Sequence, residues 1–73
     1  MPPEEPHQIA CHLGRLLDER GITLAELAAR VGVTVANLSI LKNDRAKAIR
    51  FSTLTAICRE LDCQPGDLLT FSD

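Results

Sequence analysis

The sequence predicts an all-α fold of five short helices, with two short extended runs placed to pair as a terminal β ribbon. Three observations carry this. Leu24, Leu27, Ala28 and Val31 recur at the spacing that lines one face of a helix. Leu38 and Leu41 restart the pattern on a second helix after Val31-Gly32-Val33-Thr34. Gly21 reads as a helix stop, Gly32 as a sharp helix exit and Pro65 as the first turn of a further short helix.

Met1 to Pro6 contains three prolines and two glutamates, and residues 1–7 read as a disordered tail ahead of one domain over 8–73. His7 to Cys11 reads as extended. A first helix spans Leu13 to Arg20, with Ile9, Leu13, Leu16 and Leu17 as its buried stripe and Gly21 as its stop. Thr23 and Glu26 form a capping box, so a second helix starts there and runs to about Arg30. Gly32 suits a left-handed exit, Val33 plugs the turn, and Thr34 caps a third helix from about Val35 to Lys42. Ala28 is small where these two helices cross. This is a helix-turn-helix spacing. Asn43 to Arg50 forms a loop. Ser52 reads as the cap of a fourth helix bearing Leu54, Ile57, Cys58 and Leu61. Pro65 opens a fifth that ends near Leu69. Gln8–Cys11 and Leu69–Ser72 are the runs that would pair.

Seventy-three residues make at most one domain, and one this small buries only about 60% of its unfolded surface. A 45% share of hydrophobic residues allows a compact helical core. Two Phe, with no Tyr or Trp, argue against a stacking platform for single-stranded nucleic acid. No apolar run approaches the roughly 20 residues of a membrane span, and the proline-rich, acidic start is unlike a signal peptide. The chain reads as cytoplasmic.

The net charge is −2, but its distribution matters more. Without Glu4, Glu5 and Asp73 it becomes +1. From Lys42 to Arg50, Lys42, Arg45, Lys47 and Arg50 stand against Asp44 alone, a local +3. A solvated loop explains this charge; phosphate contact explains it together with its position after the third helix.

Cys11, Cys58 and Cys63 are an odd set, which argues against a disulfide framework. With His7 and His12 they form no CxxC or HxxxH spacing, so no metal site is expected. Cys58 falls on an apolar helix face as a small core residue, and Cys63 just past it. Ser39, His12 and Cys11 lack a base and an orienting group, which argues against an enzyme. There is no glycine-rich phosphate loop, cofactor motif or small-molecule site.

The runs ERGITLAELAARVGV, the helix opened by Thr34, NDRAKAIRF and STLTAICRELDCQPGDLL together resemble the lambda-repressor-like (Cro/CI-type) helix-turn-helix domains. The resemblance covers about Ile9 to Leu69. It implies a small single-domain transcriptional regulator that binds double-stranded DNA in the major groove, acting as a homodimer on paired half-sites. Carried onto this chain, the family's recognition-helix positions are Thr34, Val35, Ala36, Ser39, Ile40 and Asn43; Thr23, Asn37 and the basic residues Lys42, Arg45 and Lys47 complete the expected DNA-binding set. Small relatives also close their termini as a two-stranded ribbon.

The chain departs from the common pattern. Leu24 stands where relatives often carry glutamine, and Val35 and Ile40 where they often carry polar or basic residues. No Arg lies on the outward face of the third helix, so the bidentate Arg–guanine contact is missing. Two readings stay open here. Val35, Ala36 and Ile40 pack against thymine methyls, or this face binds protein in the manner of an antitoxin. Val35 fits the core edge as well as the exposed face.

Overall fold

The computed structural model describes residues 8–71. The expected tail over residues 1–7 and Ser72, the expected end of the second extended run, lie outside these residues. The element order is β1 (Ile9–Cys11), α1 (Leu13–Arg20), α2 (Leu24–Val31), α3 (Val35–Lys42), α4 (Phe51–Leu61), α5 (Pro65–Leu68) and β2 (Leu69–Phe71). The expected five helices and ribbon are all present.

The helix ends follow local chemistry. At α2 the Thr23 hydroxyl accepts from Glu26 N at 3.0 Å, and Glu26 Oε1 accepts from Thr23 N at 3.0 Å. Two orphan amide donors are thereby satisfied. At α3 the Thr34 hydroxyl accepts from Asn37 N at 3.1 Å. At the other ends, Gly21 and Gly32 take left-handed φ values of 66° and 76°. Asp44 (φ 60°) and Asp62 (φ 49°) serve the same purpose after α3 and α4. Each of these four turns has an amide of the next residue bonded back five positions: Ile22 to Leu17, Val33 to Ala28, Arg45 to Ile40, and Cys63 to Cys58.

That last turn accounts for two cysteines. The residues it joins typically make an apolar contact across the helix end. Cys58 is half-buried against the core and Cys63 is buried in it. Burial pushes the Cys63 thiol up, and the neighbouring Cys58 adds to this. All three cysteines are free.

The core is one cluster in which Leu13, Leu27, Leu38, Ile57, Leu61 and Leu68 are fully buried. Ala28 is 3% exposed, on the helix that packs against both α3 and α4. Leu38 and Leu41 anchor α3, while Val33 and Leu24 are half-buried against the same cluster. β1 and β2 pair antiparallel, Ile9 with Phe71 and Cys11 with Leu69. His12 fastens this ribbon to α1. Its amide donates to Leu68 O at 2.8 Å and its Nε2 lies 2.8 Å from Thr70 Oγ1. It is a half-buried clamp at the cap position of α1.

Two expectations are corrected. Ile9 does not belong to the buried stripe of α1, because it opens β1 and is 43% exposed. Ser52 does not cap α4, which begins at Phe51 with Arg50 in the cap position and no side-chain cap bond. Tertiary packing of Leu54, Ile57 and Leu61 sets where that helix sits, and Phe51 extends it into solvent by one residue.

Candidate nucleic-acid interface

Two helices and a loop position the site. The axes of α2 and α3 are bent by 118° across the Gly32–Thr34 break, within the range of helix-turn-helix pairs. Buried Leu38 and Leu41 fix the rotation of α3 about its axis. Its outer side then presents Ala36, Ile40 and Asn43, spaced four and three apart, as one exposed stripe. Thr34 and Asn37 are exposed beside it at the N-terminal end. Val35 is 47% exposed, which decides against the core edge. Ser39 is half-buried and receives a hydrogen bond from Asn43 Nδ2 at 3.3 Å.

An open groove of about 870 Å³ separates α3 from the chain leading into α4. Thr34, Asn37 and Ile40 of α3 and its cap line it together with Arg45, Lys47 and Arg50 of the following loop. The sequence-predicted residues are thus partly gathered in one place. Val35, Ala36, Ser39, Lys42 and Asn43 lie outside this groove. Arg50 and Thr53 border it without having been among the expected contacts. The +3 charge from Lys42 to Arg50 was a signal for Arg50; Thr53 had none in the sequence.

The electrostatics favour an anion. Among the described residues, Lys42, Arg45, Lys47 and Arg50 make no ion pair, whereas Arg15, Arg20 and Arg30 all do. No acidic residue lies in the first turn of α3, so its amide end is uncompensated by a carboxylate there. α2 differs, since Glu26 occupies its first turn. The Thr23 amide on that carboxylate holds it below the usual range. Thr23 is exposed, and its hydroxyl is engaged with Glu26 in the capping box, accepting from the Glu26 amide and helping to lower the carboxyl pKa. No group of three or more candidate metal ligands occurs among the described residues.

A family model described as the Cro/C1-type HTH DNA-binding domain matches residues 12–73. The chain belongs to the Cro/C1-type helix-turn-helix family. It is similar to the uncharacterized HTH-type transcriptional regulator YozG of Bacillus subtilis (strain 168), with 56% identity over 63 residues. That alignment covers 86% of this chain and 75% of the relative. No solved structure matches it significantly. DNA binding is the function class of the family. No single described helix is long and apolar enough to cross a membrane.

Proposed function

We propose that this protein is a cytoplasmic transcriptional regulator that reads double-stranded DNA as a homodimer, with α3 in the major groove. The observation that carries the reading is the groove that Arg45, Lys47 and Arg50, which make no ion pair, line together with Thr34, Asn37 and Ile40. The cations supply the sequence-independent attraction to phosphates. The α3 face supplies discrimination, through the thymine methyl against Ile40 and Ala36 and through hydrogen bonds from Thr34, Asn37 and Asn43. Ser39, Val35, Lys42 and Thr23 are secondary contacts around that face. One helix reads few base pairs, so two copies on half-sites about one helical turn apart give the needed affinity.

The antitoxin-like alternative drew on Leu24, Val35 and Ile40. Leu24 packs against the core and is accounted for structurally. An apolar α3 face suits thymine methyls, and the unpaired cations beside it suit phosphate. Selection of duplexes from a random pool by the purified protein, at two salt concentrations, tests the reading. The expected result is an enriched sequence with twofold symmetry and affinity that falls steeply with salt. Absence of salt-dependent binding at low ionic strength would overturn it.

A further inference from the structure

Asp44 stands at the junction of the recognition helix, the basic loop and the ribbon. Its backbone is left-handed, and its amide bonds to Leu41 O at 3.2 Å while the Arg45 amide bonds to Ile40 O at 3.0 Å. Glycine holds the corresponding position after α1 and α2 without a steric cost. An aspartate there carries that cost, and its side chain makes a contact that glycine cannot. Asp44 Oδ1 accepts from the Cys11 amide at 2.7 Å, across 33 residues of sequence. Cys11 is the last residue of β1 and pairs with Leu69.

The loop needs such a tie. An apolar groove of about 350 Å³ lies between the ribbon and residues 46–49, bordered by Cys11, Asp44, Lys47 and Phe71. Ala46 and Ile49 reach the core, but Arg45, Lys47 and Ala48 are exposed. Packing therefore holds the loop at two points only, and the Asp44–Cys11 bond fixes its start. The bond also joins the end of α3 to the ribbon.

We propose that Asp44 is a positioning residue for DNA binding: its carboxylate, fastened to the Cys11 amide, sets the direction in which the loop presents Arg45 and Lys47. This rests on the DNA reading above. It makes an unusual demand on sign. A carboxylate beside phosphate-binding cations opposes an anion, so by charge alone every neutral substitution strengthens binding. Positioning requires the substitutions to divide.

The test compares Asp44→Asn, Asp44→Gly and the unaltered protein on a mixed-sequence duplex across a salt series. Asn keeps the acceptor oxygen, tolerates a left-handed backbone and removes the charge. Gly keeps the backbone and removes the acceptor. The expected result is that Asp44→Asn binds as well as or better than the unaltered protein. Asp44→Gly is expected to bind roughly three- to tenfold more weakly, the range spanned by one net hydrogen bond, with a shallower salt slope. Amide exchange at Cys11 in the free protein gives a readout without DNA. It should speed up in Asp44→Gly and stay slow in Asp44→Asn. If both variants bind more tightly, Asp44 only repels phosphate and the positioning role is overturned while the DNA reading stands. If Cys11 exchanges alike in all three proteins, the tie is overturned. If the unaltered protein shows no salt-dependent binding, the DNA reading itself fails.

Discussion

Lys42 lays its side chain across Gly14: a methyl group on Gly14 would stand 3.1 Å from Lys42 Cε and 4.0 Å from its Cγ. The end of α3 thus rests on the beginning of α1 through the lysine's alkyl stem, as long cationic side chains do on apolar or backbone surface. The stem is committed to α1 even though Lys42 was among the expected DNA contacts. Gly14→Ala should nevertheless stabilise the fold. Only the flexible outer part of a lysine has to give way, while alanine in a helix is favoured over glycine by roughly 0.5–1 kcal/mol. The gain should fall at the low end, because Gly14 lies in the first turn. A rise in the urea midpoint at unchanged slope checks this, and a fall would mean that Lys42 cannot move aside.

The capping box of α2 makes a prediction about acid. Thr23→Ala should cost about 1 kcal/mol by orphaning the Glu26 amide. Glu26 has its pKa lowered by the Thr23 amide and then by the Thr23 hydroxyl, so its folded value lies below its unfolded one. Its contribution is therefore present above the unfolded pKa and is lost as pH falls from the ordinary glutamate range through the lower folded value. Glu26→Gln retains an acceptor but does not titrate. The stability difference between Glu26→Gln and the unaltered protein should shrink or reverse as pH is lowered across that window. A pH-independent difference would count against the capping carboxylate.

What the sequence made legible were the features written locally. The box at Thr23 and Glu26, the Thr34 cap, the left-handed Gly21 and Gly32 and the spacing of Leu38 and Leu41 each involve residues within five positions of one another. The start of α4 was not of this kind. Ser52 is a good capping residue, yet the helix begins before it, because packing of Ile57 and Leu61 decides its course. Ile9 matched a helical stripe by spacing, but pairing with Phe71, 62 residues along the chain, made it a strand residue. Asp44 and Asp62 as left-handed turn residues were hidden among ordinary acidic residues. At the site, the exposure of Ala36 and Ile40 followed from helix geometry once Leu38 and Leu41 were placed inward. The groove joining Arg50 and Thr53 to α3 depended on where the loop returns, which no local pattern encodes.

Ala28 is buried on the helix that packs against both α3 and α4. It is 3% exposed, and its carbonyl accepts from both Gly32 N at 3.0 Å and Val33 N at 3.1 Å. α2 packs there against α3 and α4 together. Ala28→Leu adds volume where neither neighbour can retreat and should cost about 1–3 kcal/mol. Chemical denaturation measures this. An unchanged midpoint would place Ala28 away from the crossing. Because the turn to α3 hangs on the Ala28 carbonyl, the variant should also weaken DNA binding more than its stability loss alone would at temperatures where it is still folded.

Charge and shape should separate within the α3 groove. Arg45 and Lys47 are exposed, unpaired and outside the helix that reads bases. Replacing either with Ala should weaken binding to all duplexes alike and reduce the salt slope by about one counterion per lost phosphate contact. Ile40 is 44% exposed, uncharged and lines the same groove. Ile40→Ser removes apolar surface without touching the charge. It should leave nonspecific affinity and its salt slope nearly intact while changing the enriched sequence, most of all at positions where a thymine methyl was preferred. A good base contact discriminates by about 1–3 kcal/mol, a difference of roughly five- to 150-fold that a selection experiment resolves. The two kinds of variant must therefore fail in different assays. Should Ile40→Ser alter the salt slope, or Arg45→Ala alter the preferred sequence with its slope unchanged, the division of labour between helix and loop would be wrong. Should Ile40→Ser leave both unchanged, Ile40 does not face the bases, and the remaining exposed residues of α3 would have to carry the discrimination.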